Sequence, residues 1–219
     1  PQSRLIDSLT AKYNTVFSIA AGNSGPGLNS VAQPGVAAEA VTVGAYVSPR
    51  TWEVDYNLPG VPSEGLWYFT SQGPRDDGRL KPNVVAPGSA RSTTPGWLGY
   101  YTLMQGTSMA APANAGAIAL LLDKAQQDAV EYQARNVRQA LAQSARRLQG
   151  YSYSEQGHGL IQVGQAYQSL VKFAQEQQPD LGAALRGRMG GLYAREVQPD
   201  KRERLTLLNP NLERVNLDL

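Results

Sequence analysis

The spacing of hydrophobic residues predicts alternating helices and buried strands in the first half of the chain. Residues 6–13 have the pattern of an amphipathic helix, and 16–21 form a continuous apolar run typical of a strand covered on both faces. A helix that leads into a buried strand favours a parallel sheet. Similar short runs predict strands at 41–46, 67–70 and 83–86, and the polar stretch between Tyr46 and Trp67 predicts a long inserted loop.

In the second half of the chain, the hydrophobic pattern predicts helices. Residues 108–122 are apolar on every face, which indicates the buried central helix of a layered domain, with Pro112 early enough to cost little. Residues 137–148 have apolar positions at helical spacing between basic ones, so we expect a surface helix that ends at Gly150. A last helix is predicted over 162–175. The predicted fold class is therefore α/β, with a parallel sheet sandwiched by helices.

The same pattern divides the chain into two parts. We expect residues 1–175 to form one domain, because helical and strand patterns continue to that point. Residues 176–219 begin with a polar linker and then show short strand patterns near 190–193 and 205–208, around a charged turn. We interpret this second part as a linker and the beginning of a β-rich module.

Composition excludes several function classes. Apolar residues make up 42% of the chain and charged residues 17%, which is typical of a globular protein. The 20 basic and 18 acidic residues leave a net charge of +2, too little for a phosphate-binding stripe, so no nucleic-acid partner is expected. The longest apolar stretch, 109–122, is shorter than the ~20 residues of a membrane span, so no membrane partner is expected either. The absence of cysteine excludes thiolate chemistry and leaves the localisation open between secreted and cytoplasmic.

One serine has the surroundings of a nucleophile. Ser108 follows a glycine and begins the apolar helix, within Gly-Thr-Ser-Met-Ala-Ala-Pro at 106–112. At a helix start, the backbone N–H is unpaired and the dipole is positive, which suits an oxyanion. The alternative interpretation is that Thr107 or Ser108 is only a helix cap.

A glycine-rich turn far upstream supplies a second candidate group. Asn23 follows the first predicted strand in the sequence Ala-Gly-Asn-Ser-Gly-Pro-Gly. Taken alone, it is typical of a turn, because asparagine tolerates left-handed backbone geometry. Phosphate binding is disfavoured, since the stretch lacks the Lys-Ser/Thr ending of a phosphate-binding loop.

These two motifs resemble those of the subtilisin-like serine proteases, over about residues 5–170. The resemblance implies that Ser108 is the nucleophile and that the Asn23 side chain donates to the oxyanion. It also implies that Ala20, Ala21 and Gly22 line the pocket for the residue before the cleaved bond. Segments at 69–74 and 81–88 are similar to core elements of the family, and 45–49 and 156–163 look most like its tripeptidyl-peptidase II branch. The chain would then be the C-terminal portion of a catalytic domain.

The remaining members of a catalytic triad are not evident. His158 is the only histidine, but it follows the serine, whereas the order in this family is Asp, His, Ser. The resemblance therefore implies that the acid and base precede Pro1 and that this chain alone is inactive. Two alternatives stay open: a non-catalytic pseudoprotease or assembly module, and an α/β-hydrolase using Ser108 and His158. The second is disfavoured because Ala110 occupies the last glycine of the Gly-x-Ser-x-Gly elbow.

The sequence predicts no cofactor. The Asp76-Asp77-Gly78 turn is compatible with structural calcium, but two adjacent carboxylates in a turn are typically solvated, so no metal is assigned. The expected partners are a peptide or protein substrate and the preceding part of the same protein. Relatives in the tripeptidyl-peptidase II branch form large assemblies, so the resemblance leaves a homo-oligomer open.

Overall fold

The computed structural model describes residues 2–61 and 63–175, together with three strands further along the chain. The chain divides into two compact units, residues 1–174 and 175–219. The second unit contains the strands β7 (Tyr193–Val197), β8 (Glu203–Leu208) and β9 (Arg214–Asp218), paired antiparallel in that order. The predicted linker at 176–180 and strand positions 190–192 lie outside the described residues.

The first unit is built around the long strand β2, Val41–Val47. The strand β1 (Ser18–Ala20) runs parallel to its first half, and β4 (Val84–Pro87) runs parallel along its other edge. The short β3 (Gly65–Leu66) pairs antiparallel with the end of β2, so the sheet is mixed. β2 is the central strand, with paired neighbours on both edges, and six of its seven residues are buried, whereas the residues of β1 are half-buried. The α/β expectation with parallel core strands is confirmed.

Three helices and the sheet share one apolar cluster, in which α3 contacts the strands directly. They are α3 (Thr107–Gln127), α4 (Ala134–Ser144) and α6 (Val163–Gln175). Alternate residues of β2 and β4 join the cluster, as expected for one face of a sheet. Its buried members are Val41, Val43, Val84, Ala86, Ala110, Ile118, Leu121, Ala125, Val137, Ala140, Leu141, Ala166 and Leu170. Three shorter or more peripheral helices belong to the same unit: α1 (Gln2–Tyr13), α2 (Pro49–Tyr56) and α5 (Tyr153–Gln156).

The predicted strand at 67–70 is wrong. The ladder ends after β3, where Trp67 donates its N–H to the carbonyl of Ala45 at 3.0 Å. The chain then turns, with Thr70 N–H donating to Trp67 O at 3.0 Å. The Trp67 and Phe69 rings stack 5.4 Å apart. The apolar character of this segment therefore comes from aromatic packing in a turn rather than from a strand.

The predicted inserted loop contains the helix α2, Pro49–Tyr56, so that expectation is also wrong. Ser48 caps this helix by accepting a hydrogen bond from Thr51 N at 3.0 Å, and Pro49 occupies its first turn. A serine before a proline is a helix-start signal that the sequence carried. Trp52 of α2 packs against Trp67 with ring centroids 4.7 Å apart.

The central helix and its successor differ from expectation. The face of α3 that carries Leu121 is buried, but Leu120 is 64% exposed, so the helix is not buried all round. The face of α3 that carries Leu120 is apolar and is left exposed by the residues that the structure describes. The helix α4 ends at Ser144 rather than at Gly150. Its extension is replaced by a bridge in which Arg146 and Leu160 exchange backbone hydrogen bonds of 2.9 and 2.8 Å.

A β-hairpin that the sequence did not indicate connects β4 to α3. Its strands are β5 (Ser89–Thr93) and β6 (Tyr101–Gln105), joined through a short 3₁₀ turn at Gly96–Leu98. The hairpin brings the chain back to the carboxyl end of β4, where α3 begins. No described helix is long and apolar enough to cross a membrane.

Candidate active site

The fold brings Asn23 beside the start of α3. Asn23 lies in the turn after β1, and its side-chain Oδ1 accepts hydrogen bonds from Thr107 N at 3.0 Å and from Thr107 Oγ1 at 2.9 Å. Thr107 is completely buried and directly precedes Ser108. Two motifs separated by more than eighty residues along the sequence therefore meet at one point.

These contacts fix which way the Asn23 amide is oriented. Because Oδ1 already accepts two hydrogen bonds, the Nδ2 group is the end that remains to donate to a ligand. The Thr107 hydroxyl is itself held, since it accepts a hydrogen bond from Gly22 N at 3.1 Å. Ser108 and Asn23 are both exposed. The N–H of Ser108 belongs to the first turn of α3, where no intrahelical acceptor exists. The site therefore offers a hydroxyl with two donors beside it.

Gly106 is required by its backbone conformation. Its φ of 155° lies in a region that favours glycine. A Cβ added there would lie 3.4 Å from Asn23 Nδ2, an ordinary van der Waals distance, so space alone does not exclude a side chain. The N–H of Gly106 donates to Gly88 O at 2.8 Å, which ties the start of α3 to the residue just beyond β4. The helix start is thus held from the sheet as well as from the Asn23 turn.

Ser71 holds the turn that contains Asn23 through hydrogen bonds to Gly22 and Ser24. Sequence reasoning did not identify this residue. Gly22 has a φ of 111°, and a Cβ added there would lie only 2.8 Å from Ser71 Oγ. Ser71 N donates to Gly22 O at 2.9 Å, and Ser71 Oγ accepts from Ser24 N at 3.1 Å. Ser71 is fully buried. The only sequence signal was its place in the family-like segment 69–74.

The three predicted pocket residues have different surroundings. Ala21 is 0% exposed, and its backbone bonds to Val43 O and Ala32 N at 2.9 and 3.3 Å. Ala20 and Gly22 are half-buried. Of the three predicted residues, Ala20 and Gly22 therefore have accessible surface and Ala21 has none, and the pocket role stays a prediction.

The structure does not bring His158 to Ser108. The N–H of His158 donates to Asn83 O at 2.8 Å, just before β4, whereas Gly106 is tied to Gly88 beyond the other end of that strand. Five residues of extended chain separate Asn83 from Gly88, on the order of 15 Å. Burial, reinforced by the nearby Arg147 charge, lowers the pKa of His158. The hydrolase alternative that pairs Ser108 with His158 thus has no geometric support.

In the Asp76-Asp77-Gly78 turn, the Asp77 carboxylate is paired with arginines. Asp77 forms ion pairs with Arg75 at 3.0 Å and with Arg79 at 3.6 Å. Among the residues that the structure describes, no group of three or more histidine, aspartate or glutamate side chains is placed to hold a metal ion. The calcium interpretation gains no support from this arrangement.

An α/β domain that presents a serine at the start of its central helix, next to an oriented amide, has the arrangement of a serine hydrolase. A family model described as the subtilase family matches residues 2–159. The chain belongs to this subtilase family.

Relatives of known name share most of this chain. Pyrolysin of Pyrococcus furiosus is 41% identical over 191 residues, covering 78% of this chain and 14% of pyrolysin. Tripeptidyl-peptidase 2 of Arabidopsis thaliana is 39% identical over 178 residues, covering 78% of this chain and 13% of the relative. The predicted likeness to tripeptidyl-peptidase II is confirmed. The chain spans about one seventh of the length of these relatives.

Solved structures show the same fold. A crystal structure of tripeptidyl peptidase 2 superposes with a TM-score of 0.62 at 33% identity, covering 80% of this chain and 13% of that one. Fervidolysin from Fervidobacterium pennivorans, a keratinolytic enzyme related to subtilisin, superposes with a TM-score of 0.57 at 24% identity. That match covers 76% of this chain and 24% of the other, and it concerns the fold alone.

Proposed function

We propose that the protein carrying this chain is a serine peptidase in which Ser108 is the nucleophile. The observation that carries the proposal is the Asn23 amide, whose Oδ1 is held by Thr107 at 3.0 and 2.9 Å, which leaves Nδ2 to donate to a ligand. An amide fixed in advance at the side of an exposed serine is the element that stabilises an oxyanion without reorganisation.

In the proposed reaction, Ser108 Oγ attacks the carbonyl carbon of the peptide bond and its proton passes to a general base. The carbonyl oxygen becomes negatively charged and accepts hydrogen bonds from Ser108 N–H and Asn23 Nδ2. The base then protonates the leaving nitrogen as the C–N bond breaks, and water hydrolyses the acyl-enzyme by the same steps. Ala20 and Gly22 contribute to the pocket for the residue before the cleaved bond.

The acid and base of the triad are proposed to lie in the part of the protein that precedes this chain. The order of the family motifs supports this, and so does the apolar exposed face of α3, where Leu120 is 64% exposed. An exposed apolar helix face is commonly the site at which a further segment packs.

Covalent labelling of the full-length protein with a fluorophosphonate tests this proposal. We expect modification at Ser108, no modification in Ser108→Ala, and a loss of about 10⁶ in kcat for that variant. Ser8→Ala is the matched control, because Ser8 is also an exposed helical serine, and it should label as the parent protein does. An unlabelled full-length protein would contradict the proposal and favour the pseudoprotease alternative.

A further inference from the structure

A second polar contact joins the two elements that carry the proposed site. Ser18, the first residue of β1, donates its hydroxyl to Ala111 O at 2.8 Å. The same hydroxyl accepts a hydrogen bond from Asn114 Nδ2 at 2.9 Å. Ala111 and Asn114 follow Ser108 within the first two turns of α3. This contact and the Asn23–Thr107 contact thus connect the same strand and the same helix at two levels.

Two contacts fix an orientation that one contact does not. The Asn23–Thr107 bonds hold the start of α3 near the end of β1, whereas the apolar cluster that packs α3 on the sheet contains no residue of β1. The Ser18–Asn114 contact lies seven residues beyond Thr107, about 10 Å further along α3 at the 1.5 Å rise per residue of a helix. Together they determine the angle between the strand that leads to Asn23 and the helix that begins at Ser108.

The chemistry of Asn114 argues that it is not there for stability. Its side chain is 0% exposed, and its Oδ1 has no hydrogen-bond partner among the described residues. A buried polar atom without a partner costs stability, and an apolar residue of the same shape avoids that cost. The surrounding positions of α3 that face the core are apolar, including Ala110, Ile118 and Leu121. An asparagine among them calls for a reason other than packing.

We propose that Asn114, through Ser18, is a positioning residue that sets the Asn23 amide relative to Ser108. This inference rests on the proposed peptidase function. Without the contact, the end of β1 shifts against α3, and Nδ2 of Asn23 leaves the position where the oxyanion forms. A displacement of about 1 Å is enough to reduce a rate by one to two orders of magnitude.

The test compares shape-matched variants in the full-length protein. Asn114→Leu and Ser18→Ala remove the contact, singly and together, and leucine keeps the branched outline of the asparagine side chain. We expect each to lower kcat about tenfold at an unchanged KM on a peptide anilide substrate. The thermal midpoint of the double variant should stay the same or rise, because both partners become apolar. Ser18→Thr keeps the hydroxyl and should restore kcat.

Gln156→Leu is the matched control. Gln156 is also a fully buried amide, but it bonds to the backbone of Leu148 and Tyr151, away from β1 and α3. Its loss should lower the thermal midpoint without changing kcat per fluorophosphonate-titrated site. A role that is only structural would make the Asn114 variant behave in the same way.

The Asn23→Ala background distinguishes the mechanism. If Asn114 acts through Asn23, Asn114→Leu should have no further effect on kcat there. An equal further loss in that background, or an unchanged kcat in the stable Asn114→Leu protein, overturns the inference while the peptidase proposal stands. A parent protein that is not labelled at Ser108 overturns both. If Asn114→Leu fails to fold, the Ser18→Ala and Ser18→Thr pair decides the same question.

Discussion

Two asparagines at opposite ends of the sheet use their side-chain oxygens in the same way. Asn23 Oδ1 accepts one backbone and one side-chain hydrogen bond from Thr107. Asn83 Oδ1 accepts from Thr42 N at 2.8 Å and from Lys81 Nζ at 2.9 Å. Asn23 is exposed beside a serine, whereas Asn83 supports a lysine that is 2% exposed. Both asparagines have a side-chain oxygen that accepts two hydrogen bonds. The Asn23 amide is exposed and is proposed to take part in the reaction, whereas the Asn83 amide holds a buried lysine.

The Asn23 end should matter mainly for activity, although its loss also removes the acceptor of the buried Thr107 N–H and hydroxyl and should cost some stability. We expect Asn23→Ala to lower kcat by about 10²–10³, the cost known for the oxyanion asparagine of subtilisin, a member of this family. The physical reason is the loss of one of two donors to the developing charge. Steady-state kinetics of the full-length protein, with folded protein counted by thermal denaturation, checks this. A variant that keeps full kcat would show that Nδ2 does not contact the oxyanion.

The Asn83 end should show the reverse. We expect Asn83→Ala to lower the free energy of unfolding by about 1–3 kcal/mol, because Thr42 N–H and the Lys81 ammonium lose a buried acceptor. Activity per folded molecule should not change, since Asn83 lies at the far end of β4. Urea unfolding measures the first quantity and kcat the second. Asn83→Asp, which retains an acceptor oxygen, is the control. A loss of kcat in a stable Asn83→Ala protein would break the comparison.

Lys81 makes the Asn83 end sensitive to pH. Its Nζ donates only to neutral oxygens, on Ala40, Thr42 and Asn83 at 2.9, 2.8 and 2.9 Å. Burial, reinforced by the charges of Arg138 and Arg75, lowers its pKa from 10.5 to about 7. Between these values, the unfolded chain holds a proton that the folded chain has released.

Stability should therefore rise with pH through this window. We expect the free energy of unfolding to increase by about 1 kcal/mol between pH 8 and pH 9 from this group, and to lose the contribution as pH falls toward 7. Urea titrations at several pH values measure this rise. In Lys81→Met the corresponding part of the curve should be flat. An identical rise in the variant would mean that Lys81 does not titrate in this range.

The hydrophobic pattern predicted those elements in which packing and local preference agree. The continuous apolar run that contains β2 predicted a buried strand, and the spacing before Gln175 predicted α6. The pattern failed at 67–70, where aromatic residues pack in a turn, and at α2, whose start is set by the Ser48 cap and Pro49 rather than by hydrophobic spacing. It also misplaced the end of α4, because the bridge between Arg146 and Leu160 is a long-range contact that no local window contains.

The sequence by itself determined the identity of the proposed chemical groups and the family. Gly106–Pro112 and the Ala-Gly-Asn turn are local motifs, so Ser108 and Asn23 can be read without coordinates. Only the tertiary structure decided how these groups are held. The Thr107 contacts, the Ser71 support and the Ser18–Asn114 tether all join residues far apart in sequence. Hydrogen bonds of this kind depend on distances across the fold, which residue spacing along the chain does not specify.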